Sequence, residues 1–289
     1  MCGAKNARLW FETGFQDKRY GLARCGACGL HYCTPHPTPA EIAAFYSGDY
    51  HAELRERGAS EVIFGAKFRE YRDWVLRFIQ AGRSLDIGTA TGLFPSLLKQ
   101  AGFDAEGLEC NHASAEWGRA HYGVNIVAKP LEESGIAAGS YDLITMTDVL
   151  EHMDHPLHYL EFVRQYLKPG GFMLVTFPDI RSVESRYAHF LARRFHREWI
   201  HHRSTSIPGH IWEFTPASAR AMFRKAGFAV RGFRRRQDSV EPATGALSLL
   251  LLPTQLLKIR AIARLAGTQM LFMIQKPRAS GPPAAAIPP

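Results

Sequence analysis

Apolar positions change their period along this chain. From Tyr71 to Gln80, "YRDWVLRFIQ" repeats apolar residues at the 3.6-residue spacing of a helix. Leu85 to Ile87 then predict the end of a strand, and Gly88 and Gly92 bracket a turn. Phe94, Leu97 and Leu98 share one helical face before Gly102 stops that helix. Strand-like stretches follow at 104–110, 124–128, 141–147 and 172–177, with helical stretches at 114–123 and 157–171 between them. This alternation predicts an α/β fold, a parallel sheet with crossover helices. Ligands bind such sheets at the carboxyl ends of the strands, where Asp86, Glu109 and Asp148 fall.

Composition changes this picture little. The 289 residues suit one main domain and a small appendage, and 46% hydrophobic with 21% charged residues is an ordinary globular balance. The longest apolar run, "ALSLLLLP", is too short to span a bilayer, and no export signal is visible. A cytoplasmic location is therefore expected. The net charge of +8 favours anionic partners without choosing among phosphates, nucleic acid and a membrane surface.

Four of the five cysteines fall in the first 33 residues. Cys25 and Cys28, followed by Gly29, form the Cys-x-x-Cys knuckle of a zinc ribbon. Cys2-Gly3 repeats the end of a second knuckle, whose first cysteine would fall before Met1. A structural Zn2+ held by Cys2, Cys25 and Cys28 is expected, with Cys33, His31 or His36 as fourth ligand. The alternative is a vestigial ribbon with free thiols.

The glycine loop reads Asp86-x-Gly88-x-Ala90-x-Gly92, with a carboxylate at the strand end. That carboxylate would repel a pyrophosphate but suits a ligand carrying ammonium and sulfonium charge. At this point the sequence resembles the class I S-adenosylmethionine-dependent methyltransferases. "LDIGTATG" resembles their first motif, and Glu109 matches the acidic residue that takes the ribose hydroxyls. "YDLITMTDVLEHMDHP", "LKPGGFMLVTFPD" and "FTPASARAMFRKAGF" resemble the later strands and helix, in order.

The resemblance implies a Rossmann-like seven-stranded methyltransferase domain over 61–276, with insertions at 180–210 and 244–267. Before it come a zinc-ribbon-like segment (1–36) and a cap helix and linker (37–60), and after it a disordered tail (277–289). It implies S-adenosyl-L-methionine as cofactor, held by Asp86, Gly88, Thr89, Ala90, Gly92, Glu109 and Asp148. Leu131 and Glu132 would flank the adenine, and Tyr46 and Tyr50 in the cap would close over the site.

Two histidines are candidate general bases. His152 follows the fourth strand, where Asp148 and Glu151 are expected to hold its imidazole in one tautomer. The alternative role for it is orienting its loop through a backbone hydrogen bond. His210, in "PGHIWEF", is the second candidate. Between them, residues 181–203 hold six arginines and four histidines interleaved with aromatics, which suits a phosphate clamp, RNA, or a plain solvated helix. The helical stretch within 244–267 is expected to pack on the sheet or on a second subunit, with peripheral membrane contact as the alternative. The first functional reading is methyl transfer to a small-molecule acceptor, phosphorylated or lipid-linked. RNA methylation and a non-catalytic metal-binding module are the alternatives.

Overall fold

Adjacent residues of a strand point to opposite faces, and the central strands here are apolar on both. In β7 (Tyr141–Thr147), Leu143 joins one core and Ile144 the other; in β8 (Leu167–Pro178) the pair is Leu174 and Val175. Such strands need cover on both sides, and helices supply it. Tyr71, Trp74 and Val75 of α2 (Ala59–Val75) and Phe94 and Leu98 of α3 (Leu93–Gln100) close one face. Leu160 and Val163 of α5 (Pro156–Tyr166) and Met222 and Phe223 of α7 (Pro216–Lys225) close the other.

The structure is a computed structural model describing residues 3, 6–15, 17–45, 52–56, 58–195, 207–237 and 267–278. Its main sheet has seven strands in the order β10-β11-β8-β7-β4-β5-β6. Here β4 is Gly82–Ile87, β5 Phe103–Leu108, β6 Asn125–Val127, β10 Ala229–Arg236 and β11 Gln269–Gln275. The five strands from β8 to β6 pair in parallel, while β11 runs antiparallel to both its neighbours. This is the α/β sheet the alternation predicts. The helix expected at 71–80 instead starts at Ala59 and ends at Val75. Its first half hides from a periodicity reading because Val62 and Ile63 face solvent while Lys67 is buried.

The front end is a meander of β1 (Ala7–Phe15), β2 (Lys18–Cys25) and β3 (His31–Thr34), all antiparallel. Its fourth strand comes from the far side of the insertion: β9 (Trp212–Glu213) pairs with β3. Phe11, Tyr20, Leu22 and Cys33 pack against Ile180 and Ile207, so this small core belongs to both parts. After β3 comes α1 (Pro39–Phe45), whose Glu41 bonds Thr38 in a capping box and receives Lys18 at 2.6 Å. The first half of the expected insertion is α6 (Val183–Phe195). Cys2, Tyr46, Tyr50, residues 196–206 and 238–266, and the tail beyond Arg278 lie outside the described residues. Among the described residues, no helix is long and apolar enough to cross a membrane.

One ion pair fixes α2 over the carboxyl end of the sheet. The Lys67 ammonium lies 2.6 Å from Asp148, the residue after β7, which adopts a left-handed backbone (φ 57°). Thr176 on β8 and the Gln269 amide on β11 also donate to Asp148. Burial favours the neutral acid, but Lys67 and these donors outweigh it and hold the Asp148 carboxyl below its usual range. A third of the Asp148 side chain is exposed. Removing one partner (Lys67→Met or Asp148→Asn) should therefore cost stability near or below the lower end of the roughly 3–5 kcal/mol seen for buried pairs. The double variant should cost less than the sum of the two, and urea unfolding of all three variants gives the coupling.

Candidate active site

The loop after β4 is shaped by contacts that only small residues allow. Gly88 has φ 71°, and a Cβ there would meet Val149 at 2.6 Å. Gly92 has φ 83°, and a Cβ there would meet Ile126 at 2.7 Å. Gly88 opens the loop to the cavity, whereas Gly92 lets α3 start against β6. Ala90 takes the left-handed conformation (φ 49°) and points its N–H at Glu109, 2.8 Å away.

These residues border a cavity of about 540 Å³ at the carboxyl ends of β4, β5 and β7. Asp86, Gly88 to Thr91, Glu109, Cys110 and Asp148 form its polar side; Ile42, Leu54, Phe64, Phe68 and Leu93 form an apolar wall. Glu109 is buried and accepts the N–H groups of Ala90 and Asn111, at 2.8 and 2.9 Å. A carboxylate has about four lone-pair directions, so acceptor capacity remains. Asp86 accepts the Thr145 hydroxyl at 2.5 Å and is almost wholly buried. Burial raises its pKa to about 7.

Past β7 the chain makes one helical turn, Leu150–His152, which the loop before β9 covers. The Ile211 N–H donates to the Glu151 carbonyl (2.9 Å), and the Ile211 carbonyl accepts the Cys33 N–H (2.8 Å). The Trp212 indole N–H donates to the Met153 carbonyl at 2.8 Å. This arrangement brings His210 to the cavity, 4.8 Å from His152 between ring centres. His210 Nδ1 lies 3.1 Å from the buried Glu213 carboxylate. Burial alone would lower the His210 pKa, but the charges of Glu213 and Glu151 outweigh it and raise it to about 9.

His152 makes the backbone hydrogen bond of its alternative, orienting role: its Nδ1 donates to the Gly209 carbonyl at 2.9 Å, which leaves Nε2 as the acceptor nitrogen of the neutral ring. Burial, with the neighbouring His210, lowers its pKa to about 3.

Residues 64–231 match the model of a family described as a methyltransferase domain. The chain is a member of this methyltransferase family. The ubiquinone biosynthesis O-methyltransferase of Bordetella avium (strain 197N) is 33% identical over 104 residues, 34% of this chain and 43% of that protein. Its namesake in Cereibacter sphaeroides (strain ATCC 17025 / ATH 2.4.3) is 29% identical over 155 residues, 51% of this chain and 60% of that protein. The chain thus spans about half the length of the curated relatives it matches. A chain in the complex of the Haloferax volcanii Trm112 methyltransferase activator with a methyltransferase superposes with TM-score 0.61 at 17% identity, covering 81% of this chain and 99% of that one. The Burkholderia thailandensis 1,6-didemethyltoxoflavin-N1-methyltransferase, with bound S-adenosylhomocysteine, gives 0.50 at 16% identity, covering 92% and 100%. These two likenesses show the fold.

Several site residues expected from sequence lie elsewhere in this methyltransferase. Leu131 is packed in the core and Glu132 accepts the Tyr159 hydroxyl; neither borders the cavity. Asp148 borders it, with its carboxylate held by Lys67. Of the expected clamp, Cys2 lies outside the described residues, while Cys25 and Cys28 stand on one turn that the Gly29 N–H closes onto the Cys25 carbonyl at 3.0 Å. Cys33 sits in the apolar core of the front sheet, where burial raises its thiol pKa to about 12, and Cys28 packs on the main core. The antiparallel pairing of β2 with β3 places Cys33 opposite Leu22, away from the turn that holds Cys25 and Cys28. Glu151, His152 and His210 are the one metal-type trio among the described residues, with donor atoms within 4.8 Å of one another. Two imidazoles and a carboxylate are a donor set that divalent transition ions accept.

Sequence reasoning missed Lys67, Phe64, Phe68 and Glu213. The Phe64-x-x-x-Phe68 spacing was a usable signal, since residues four apart share a helical face.

The raised pKa of Asp86 links stability to pH. Between about pH 4, where the unfolded chain releases this proton, and pH 7, the folded state binds more protons than the unfolded one. Its contribution is therefore intact at low pH and is lost as pH rises through that window. The stability of Asp86→Asn minus that of the ligand-free wild type should grow from pH 4 to 7. Urea midpoints at four pH values measure it, and a constant difference would contradict the assignment.

Proposed function

We propose that this chain is an S-adenosylmethionine-dependent O-methyltransferase acting on a hydroxyl of a small molecule, with His210 as general base and Glu213 as its positioning partner. The observation that carries this reading is a single cavity bordered by the Asp86–Thr91 loop, Glu109 and His210 together. Its volume of about 540 Å³ suits a small acceptor beside the cofactor. The O-methyltransferase names of the relatives from Bordetella avium and Cereibacter sphaeroides support an oxygen acceptor.

The donor set fits the cofactor. Asp86 and Glu109 put two carboxyls on the polar side, where a cationic ligand would favour the ionised form of Asp86, and Glu109 keeps capacity for two hydroxyls. Phe64, Phe68, Leu54 and Ile42 supply the apolar wall that keeps water from the reacting atoms. When bound, the cofactor supplies an electrophilic methyl group on a sulfonium. Removing the charge of Glu109 without its volume being refilled (Glu109→Ala) should weaken cofactor binding by about 1.5–3 kcal/mol, the range for hydrogen bonds to a charged group. Calorimetry on wild type and variant reads this, and equal affinities would remove Glu109 from the site.

Of the two histidines, His210 is the stronger base. A proton acceptor works best with a pKa near that of its task, and His152 at about 3 holds protons too weakly. Glu213 raises the proton affinity of His210 towards that of a phenol, near 10. The acceptor's hydroxyl proton passes to His210 while Glu213 keeps the ring oriented through Nδ1. His152, bonded to Gly209, orients the loop that carries His210.

Turnover should therefore rise with pH as His210 loses its own proton. His210→Gln should lower turnover by about a hundredfold or more and abolish that acidic limb. Glu213→Gln should move the limb to lower pH, because the charge that raises the His210 pKa is gone. A methyl-transfer assay against catechol-type and sugar hydroxyls supplies the rate. An unchanged acidic limb in His210→Gln would return the base role to another group.

A further inference from the structure

A second hollow lies where the front sheet meets the start of α6. Arg8 of β1 and Arg24 of β2 line it together with Arg181 and Arg186, and it encloses about 760 Å³. It shares no lining residue with the cofactor cavity. Elsewhere on this surface arginines lie against carboxylates, as Arg83 does with Glu106, Arg72 with Asp73 and Arg236 with Glu70. Among the described residues, none of the four arginines of the hollow has an ion-pair partner. The carboxylate two residues before Arg181, Asp179, is taken by Arg235 at 2.9 Å. Asp179 also accepts the Arg181 backbone N–H at 2.9 Å, but four guanidinium groups without an ion pair around one concavity still repel one another, and an anion seated between them removes that repulsion.

A buried side chain adds an independent sign of a ligand. His31 lines the hollow at 3% exposure, and its Nδ1 has no hydrogen-bond partner among the described residues. A buried ring nitrogen left unpaired is costly, and native structures seldom keep one without a use. Beside it the Trp10 indole, 4.9 Å from the His31 ring, offers an aromatic wall.

We propose that this hollow binds the phosphoryl groups of a small phosphorylated molecule, with Arg8 and Arg24 of the front sheet and Arg181 and Arg186 at the start of α6 gripping the oxygens from two sides. Guanidinium forks match phosphate oxygens in pairs, and four of them suit a diphosphate better than a single carboxylate. The concave shape favours a compact ligand over RNA, which is held along an open basic groove with several stacking aromatics. The site joins two segments far apart in sequence, so a ligand there also clamps the front sheet to the body.

The test uses the full chain saturated with S-adenosylhomocysteine, so that the cofactor cavity is closed. Inorganic pyrophosphate and uridine diphosphate are titrated by calorimetry into wild type, Arg24→Gln/Arg181→Gln, and the charge-matched control Arg224→Gln/Lys225→Gln on α7. Arg24 and Arg181 are exposed, and unchanged S-adenosylhomocysteine affinity will report an intact fold independently of this site. Both probes should bind wild type and control alike, and the dissociation constants should rise about tenfold or more in the Arg24/Arg181 variant. Equal weakening in the control, or no pyrophosphate binding to wild type, would overturn the proposal. So would a single-stranded RNA oligonucleotide that binds more tightly than either probe and depends on the same two arginines, since that would make the hollow part of a nucleic-acid surface.

Discussion

The short run from Ile207 to Phe214 holds the candidate active site together. One residue of it, Ile211, donates its N–H to the Glu151 carbonyl and accepts the Cys33 N–H on its own carbonyl, so a single residue joins the turn after β7 to the front sheet. On either side, Gly209 fixes His152, Trp212 fixes Met153, and Glu213 fixes His210. The two-residue strand β9 makes few ladder bonds of its own. Its order comes from these side-chain and backbone contacts, most of them shielded from water, where a hydrogen bond left unmade is costly. The front sheet thus acts through β9 on the position of His210, far from its own sequence.

Charge in the cavity is arranged by burial more than by count. Asp86 and Glu151 are carboxyls whose burial pushes them towards neutrality, to about 7 and about 8, with the charge of Asp148 adding to the effect on Glu151. Asp148 stays ionised because Lys67 lies against it. His210 holds its proton because Glu213 and Glu151 surround it, whereas His152, a few ångströms away, is pushed the other way. Groups of one type are driven apart in pKa by their partners, a pattern that marks functional sites. A cationic ligand entering this cavity meets Asp86, a carboxyl that its charge would help to ionise.

The body of the fold was legible because its signals are local. Strand ends, the Gly88 turn, Glu109 after β5 and the capped helices each follow from residues within a few positions, and Asn111 and Thr215 cap α4 (His112–Tyr122) and α7 as such residues do. The start of α2 was missed because its burial pattern is inverted, with Lys67 inside and Val62 outside. The cysteine spacing suggested a clamp, and a Cys-x-x-Cys turn is present between Cys25 and Leu30. Spacing alone could not say that pairing β2 with β3 would carry Cys33 into an apolar core.

By itself, then, the sequence determined the α/β sheet, its strand ends, and the carboxylates that stand at the cavity, since period, turn chemistry and propensity act over a few residues. The tertiary structure decided which partner each buried group meets. Lys67 reaches Asp148, Glu213 reaches His210, and Arg24 shares a hollow with Arg181 only after the chain has folded. Those pairings set protonation state and role, because the electrostatic energy of a buried group depends on neighbours within a few ångströms and on the water they exclude. Neither quantity is written in the spacing of residues along the chain.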